Sequence, residues 1–384
     1  MTDFAAIRSQ FPILDQGIHG YPLVYLDSAA TSQKPQCVID AESDFYRTIN
    51  AGVHRGAHEL AARSTMAFED ARAKVAKLVG ADSAEGEEEI VVTTAEHHSV
   101  LLPFQELALR TGATLKWFDL DEEGRVRSDT ADEVITDRTK IVAVTHVGNT
   151  TGAITDIAPI IRRAHEVGAV FVLDACQSVP HLKVDFHALD VDFAAWSAHK
   201  MYGPTGVGFL YGKREMLEAL PPANFGGSMV ELAWMDQEAQ YMEPPARFEA
   251  GTQPVAQVVA AGVAAEWLMN IGMENLEAHE RTITDELLKM GDIDGIRILG
   301  PRSNKERIGT VAFEVEGVHP HDVGQFIDAQ GIAIRVGHHC AQPVHRHFGV
   351  YASNRASSGI YNSVEDAQAL IEALGKVRPF FGVE

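Results

Sequence analysis

The chain has 384 residues, 46% of them hydrophobic and 22% charged, with a formal net charge of −22. That length is enough for two domains with well-buried cores, and the excess of acid disfavours nucleic acid and anionic membrane surfaces as partners. Three cysteines, Cys37, Cys176 and Cys340, are widely spaced with no Cys-x-x-Cys pattern, so no zinc site or disulfide framework is expected and a reduced, cytoplasmic setting is.

The start, Met1-Thr2-Asp3-Phe4, lacks a basic region followed by an apolar run, and no apolar run is long enough to span a bilayer. From Val24 to Leu210, short apolar runs at 90–92, 114–118, 141–144, 170–173, 193–196 and 207–211 alternate with amphipathic stretches such as 157–166. This alternation predicts an α/β fold with a mostly parallel sheet covered on both faces. Ligands of such sheets bind beyond the carboxyl ends of the strands, where Asn149, Asp174 and Lys200 all fall. Residues 221–245 break the periodicity and read as loop, and 255–290 return to helix-forming composition. The last third reads β-β-α-β-α over 297–299, 310–315, 321–329, 332–335 and 363–374. A large domain over 21–254 is expected, with a smaller α+β domain built from 255–384 and the segment 1–20.

Two strand ends carry the chemistry. Val172-Leu173-Asp174-Ala175-Cys176-Gln177-Ser178 is an apolar strand ending in a carboxylate. Trp196-Ser197-Ala198-His199-Lys200-Met201-Tyr202-Gly203-Pro204 is a second strand ending in a lysine. A lysine beyond a buried strand is costly unless neutralised or covalently used. Pyridoxal phosphate uses both groups, the lysine as a Schiff base and the carboxylate to keep the pyridine nitrogen protonated. The plainer reading is a strand-end aspartate and an unrelated surface lysine. A third motif, Arg335-Val336-Gly337-His338-His339-Cys340-Ala341-Gln342-Pro343, sets a cysteine in a Gly/Pro-bounded loop beside two histidines, followed by Asn354-Arg355-Ala356-Ser357.

With these motifs the chain resembles the group II cysteine desulfurases, the SufS/CsdA-like branch of the class V aminotransferase-like enzymes. The resemblance extends to Tyr25-Leu26-Asp27-Ser28-Ala29-Ala30-Thr31, Val53-His54-Arg55-Gly56-Ala57-His58, Glu96-His97-His98, Asn149 and Arg247-Phe248-Glu249-Ala250-Gly251-Thr252. It implies the fold type I architecture of pyridoxal-phosphate enzymes and a role for each matching residue. Lys200 is expected to hold the cofactor and Asp174 to pair with its pyridine nitrogen. Gln177 is expected at the ring oxygen, with His97 stacked on the ring. Ser197 and His199 are expected at the phosphate, joined by Thr252 from the other subunit of a homodimer. Arg355 is the expected clamp for the substrate carboxylate, since a guanidinium grips a carboxylate bidentately. Asn149 assists there or at the ring oxygen, and Ala29 and Ala30 line the substrate side. Cys340 is the expected nucleophile, helped by His338 or His339 if either is protonated.

The implied reaction converts L-cysteine to L-alanine and leaves a persulfide on Cys340. A sulfur acceptor of the SufE or SufU type then unloads it toward iron–sulfur cluster assembly, with His339 placed to meet the metal of a zinc-bearing acceptor. L-Selenocysteine suits the same chemistry, so a selenocysteine lyase is an alternative, and a cofactor-poor scaffold that binds sulfur-transfer partners is another. An aminotransferase is disfavoured by Cys340.

One departure from the family pattern is large. Only residues 82–89 separate Ala81 from the apolar run at 90–92. Family members carry there a strand, a Thr-Thr-rich turn that feeds the phosphate, and a helix, an insertion of about 30 residues by the size of such units. Smaller departures are Val100, where Asn is usual, and Gln253, where Pro is common.

Overall fold

The computed structural model describes residues 2–51, 59–79, 90–111 and 113–383. The Val53–His58 motif and the short connection over 82–89 lie outside them.

Six strands form the central sheet: β1 (Val91–Thr93), β2 (Lys116–Phe118), β3 (Ile141–Thr145), β4 (Val170–Asp174), β5 (Phe193–Ser197) and β6 (Gly208–Gly212). Their order is β2-β1-β3-β4-β5-β6, parallel except for β6, which runs antiparallel to β5. The expected α/β class is the class observed. All five residues of β3 are buried, as a strand covered on both faces requires. Successive side chains of a strand point to opposite faces, and here the alternation separates two cores. Val142 and Val144 join Phe171, Leu173 and Trp196 on one face, whereas Ile141 and Ala143 join Ile90, Val92 and Ala108 on the other.

Helices close these faces. In chain order the helices include α1 (Gln36–Thr48), α2 (Glu59–Val79), α3 (His98–Thr111), α4 (Ala158–Glu166), α5 (Val255–Ile271) and α6 (Met273–Leu288), of which α1 and α2 pack on α5. The apolar stripe Ile160, Ile161 and Ala164 of α4 packs into the first core, which also takes Ala265 and Leu268 of α5. Residues 255–290, helix-forming by composition, fold as two helices followed by a short 3-10 turn at Lys289–Asp292. Gly272 parts them at φ +86°, a left-handed conformation that favours glycine. No single described helix is long and apolar enough to cross a membrane.

A second, antiparallel sheet holds β7 (Ile296–Leu299), β8 (Thr310–Val315), β9 (Arg335–Gly337) and β10 (Ser353–Ser357) in the order β7-β8-β10-β9. Helices α7 (Pro320–Asp328), α8 (Gln342–His347) and α9 (Val364–Leu374) accompany it. The expected β-β-α-β-α run therefore omits β10 and α8. The single strand expected over 332–335 is instead two. Ile332–Ala333 pairs with Val24–Tyr25, and β9 pairs with β10. The loop expected over 221–245 contains a short antiparallel pair, Val230–Leu232 with Gln240–Tyr241.

Candidate active site

Asp174 ends β4, and Lys200 follows the end of the neighbouring parallel strand β5. Asp174 is fixed from two sides: its Oδ1 accepts the Cys176 N–H at 2.9 Å and its carbonyl accepts the His146 N–H at 3.0 Å. The Lys200 N–H donates to the Ser197 carbonyl at 3.3 Å. One residue earlier, the His199 carbonyl accepts from the Ser32 N–H at 3.1 Å, the Ser32 Oγ at 2.9 Å and the Lys34 Nζ at 3.0 Å. The loop carrying Ala29 and Ala30 is thereby tied to the lysine turn. Burial lowers Lys34 to about 8.

His97 precedes α3, and its Nδ1 accepts the Ser99 N–H at 3.1 Å. Burial, then the charge of Lys200, lowers it to about 4, while Asp174 opposes the shift. The ring is therefore neutral at neutral pH and lies within electrostatic reach of both groups. Beneath Asp174 are two buried residues, Glu96 and His146. Glu96 accepts from the Thr93 hydroxyl at 2.7 Å and the Thr145 N–H at 2.9 Å. Burial raises its carboxyl to about 8 and lowers His146 to about 4, so both are mainly uncharged at neutral pH. Cys176, pushed up to about 12 by burial and then by Asp174, stays a thiol and is a poor nucleophile.

Gln177 donates from Nε2 to the Ala29 carbonyl at 3.2 Å. The Ala29 N–H in turn donates to Ser357 Oγ at 3.0 Å. The Oε1 of Gln177 and the Oδ1 of Asn149 are buried without a hydrogen-bond partner. Buried polar atoms are rarely left so unless something else meets them. A strand-end carboxylate, a lysine one strand over, a neutral imidazole and two orphaned amide oxygens fit pyridoxal phosphate. For its phosphate the same turn offers the Ser197 hydroxyl and the His199 ring. Thr252 is exposed, and among the described residues no hydrogen bond joins it to this group.

Arg355 lies on β10 with no exposure. Its Nη1 donates to the Asn149 carbonyl at 2.8 Å and its Nη2 to Asp27 Oδ1 at 3.3 Å, while its Nε is unpartnered. Burial lowers it to about 10, leaving it a cation at neutral pH. Asn149 also reaches the other way, its Nδ2 donating to the His339 carbonyl at 2.5 Å. One residue thus links Arg355 to the Cys340 turn.

That turn is strained. His339 and Cys340 have φ of +50° and +57°, a left-handed backbone that costs about 1–2 kcal/mol per residue with a side chain. It is held by the His98 N–H, which donates to the Cys340 carbonyl at 2.8 Å, and by a 2.9 Å hydrogen bond between His339 Nε2 and Ser353 Oγ. Two expectations for His339 are corrected here. The ring is 2% exposed, and burial, then Arg355, drives its pKa far below the usual histidine value. It neither brings a positive charge to the thiol nor faces an acceptor's metal. The cation at the sulfur is Arg335, whose Nη2 donates to Cys340 Sγ at 3.7 Å. The sequence assigns Arg335 no role; its place three residues before the His-His-Cys loop is the available signal. Asp27, the carboxylate beside Arg355, was missed in the same way.

The family model described as "Aminotransferase class-V" matches residues 24–86 and 84–370. A probable cysteine desulfurase of Streptomyces coelicolor is 45% identical, with 100% of this chain and 99% of that protein covered. A cysteine desulfurase of Haloferax volcanii is 39% identical, with 99% of this chain and 98% of that protein covered. Among solved structures, the cysteine desulfurase CsdA of Escherichia coli is 35% identical with a TM-score of 0.89, covering 99% of each chain. The Streptomyces alignment spans 413 positions against 384 residues here, which leaves 29 without a counterpart in this chain. The two family-model segments meet at 84–86, inside the connection that sequence reading found too short.

Proposed function

The chain belongs to the aminotransferase class-V family and is a pyridoxal-phosphate-dependent cysteine desulfurase; we propose that Arg355 takes the carboxylate of L-cysteine and Cys340 takes its sulfur. The observation that carries this reading is Asn149, whose carbonyl accepts from Arg355 and whose amide holds the Cys340 turn. Carboxylate clamp and thiol are set by a single residue.

When bound, the cofactor supplies an electron sink that weakens the substrate's carbon–sulfur bond. Lys200 would hold it and move a proton at Nζ. Asp174 would keep the pyridine nitrogen protonated. Gln177 would lie on the ring-oxygen side and Asn149 there or beside the substrate carboxylate, with His97 at the ring face and Ser197 and His199 at the phosphate. Ala29 and Ala30 bound the substrate side. The Cys340 thiolate, with Arg335 beside it, attacks the substrate sulfur. The carbon–sulfur bond breaks, a sulfur–sulfur bond forms on Cys340, and the substrate carbon takes a proton to leave as L-alanine.

The finer reading is a homodimer with Thr252 reaching the partner's phosphate site, working in the cytoplasm. There a SufE- or SufU-type acceptor would draw sulfur from Cys340 for iron–sulfur cluster assembly. The exposure of Thr252 in the single chain supports the shared site. Sedimentation of a fully active monomer would refute it. Selenocysteine lyase and inactive scaffold are not favoured, because the matched relatives are named cysteine desulfurases over their full length. Incubation with L-cysteine and pyridoxal phosphate tests the whole. L-Alanine is expected, with one sulfur atom added to the Cys340 peptide. Alanine without added sulfur on that peptide would refute the nucleophile.

A further inference from the structure

Arg307 is 6% exposed, and no carboxylate lies within ion-pair distance of it among the described residues. Its guanidinium is spent on carbonyls. Nη1 donates to Pro301 O, Nη2 to Thr151 O at 3.1 Å and Thr310 O at 2.6 Å, and Nε to Ile308 O at 3.2 Å. A buried cation without an anion is costly and needs such donors satisfied.

Those carbonyls come from two places. Pro301, Ile308 and Thr310 belong to the β7–β8 connection and the start of β8. Thr151 belongs to the tight turn that carries Asn149. That turn closes on itself, Gly148 N–H to Ala153 O at 2.9 Å and Gly152 N–H to Gly148 O at 2.8 Å. It is laced to the connection by Ile308 N–H to Gly152 O at 2.9 Å and Ile154 N–H to Glu306 O at 2.9 Å. Gly152 sits at φ +72°, and a Cβ there would collide with the Thr310 carbonyl, so no side chain fits between turn and sheet. Arg307 thus grips the turn at Thr151, two residues from the Asn149 carbonyl that receives Arg355.

We propose that Arg307 is a positioning residue for substrate recognition. By fixing the 148–153 turn, it sets the Asn149 carbonyl that aims Arg355 and the Asn149 amide that holds the Cys340 turn. The inference rests on the reading of Arg355 as the carboxylate clamp. A neutral side chain at 307 frees Thr151 O, lets the turn shift, and loosens both of Asn149's bonds at once.

The test compares Arg307→Met and Arg307→Lys with the unaltered enzyme in two measurements. The first is KM and kcat for L-cysteine. The second is the iodoacetamide labelling rate of the Cys340 peptide in cofactor-free protein, read by mass spectrometry. The methionine variant is expected to raise KM about tenfold, as loss of one charge-assisted hydrogen bond at the clamp would, with kcat changed less than about threefold. Its Cys340 is expected to label at least about threefold faster. Lysine, which keeps the charge but not the fork, is expected to fall between on both. A lower Tm with KM and labelling unchanged would show a merely structural arginine and overturn the proposal. Should the methionine variant not fold, a folded lysine variant with unchanged KM and labelling overturns it equally. Arg355→Lys is run beside them. An unchanged KM in that variant sinks the clamp reading itself, a separate failure.

Discussion

Arg335 directs its Nη2 at the sulfur of Cys340 across 3.7 Å. The two residues sit five apart, at either end of a bend that passes through the buried, neutral His339. A cation in that position steadies the negative charge that the sulfur carries as it attacks and after transfer.

Arg335→Met is therefore expected to slow alkylation of Cys340 at neutral pH by about three- to tenfold, the effect of removing one partly screened charge at contact. Peptide-level labelling kinetics measure it. Cofactor absorbance should be unchanged, since Arg335 is not among the groups that would hold the ring.

Lys200 and Cys340 are expected to separate cleanly. Lys200→Ala should abolish the near-visible absorbance of lysine-bound pyridoxal phosphate. Cys340→Ser should keep that band and form no persulfide. Full cysteine turnover by the serine variant would remove Cys340 from the nucleophile's place.

Cofactor affinity is expected to be low for the family. The chain is 29 positions short of its Streptomyces relative's alignment, and the two family-model segments meet at 84–86, where the family resemblance leads one to expect donors to the phosphate. Each lost charge-assisted hydrogen bond weakens binding by about 1.5–3 kcal/mol, so two such losses cost about two powers of ten or more. Titration of apo-protein should reach its plateau well above equimolar cofactor. A sharp stoichiometric endpoint at micromolar protein would contradict this.

A pH dependence of stability follows from His165, away from the site. Its Nε2 meets Asp192 Oδ2 at 2.8 Å and its Nδ1 meets Asp190 Oδ2 at 3.2 Å. The bond to Asp192 raises His165 above 6.5 against the effect of burial. Burial pushes Asp192 up, but bonds from His165, Lys213 and the Phe171 N–H outweigh it and the carboxyl ends lowered. A raised histidine stabilises the fold fully below its unfolded value and loses that contribution as pH rises through its folded value. The Tm gap between the natural protein and His165→Asn should thus be widest near about pH 6 and shrink toward about pH 9. A constant gap would show that the ring stays neutral.

Burial pattern decides how much of this was legible. β3, β4 and β5 were readable to within a residue or so because strands covered on both faces are continuous apolar runs. Asp174 and Lys200 were then located simply by following such runs to their ends. β10 escaped because Ser353-Asn354-Arg355-Ala356-Ser357 looks like a loop, yet all five residues are buried. Ser353 and Arg355 find partners on other elements, His339, Asn149 and Asp27, which no local pattern reveals. The split at Ile334 was hidden likewise, since a chain that changes sheets keeps its apolar alternation. Arg307 and Arg335 act through groups brought from other elements, so their roles exist only once the chain is folded.

At the far side of the central sheet, β6 has no strand on its outer edge among the described residues, and Leu210 is 56% exposed there. Beside it runs a groove of about 540 Å³ lined by Phe68, Phe209, Phe225 and Val258 among others. An open strand edge next to apolar surface invites a strand from a neighbouring molecule. The net charge of −22 opposes that approach, and dissolved salt screens the opposition without touching the edge. Raising salt is accordingly expected to increase association through this edge, which sedimentation across a series of salt concentrations measures; an unchanged sedimentation coefficient would contradict it.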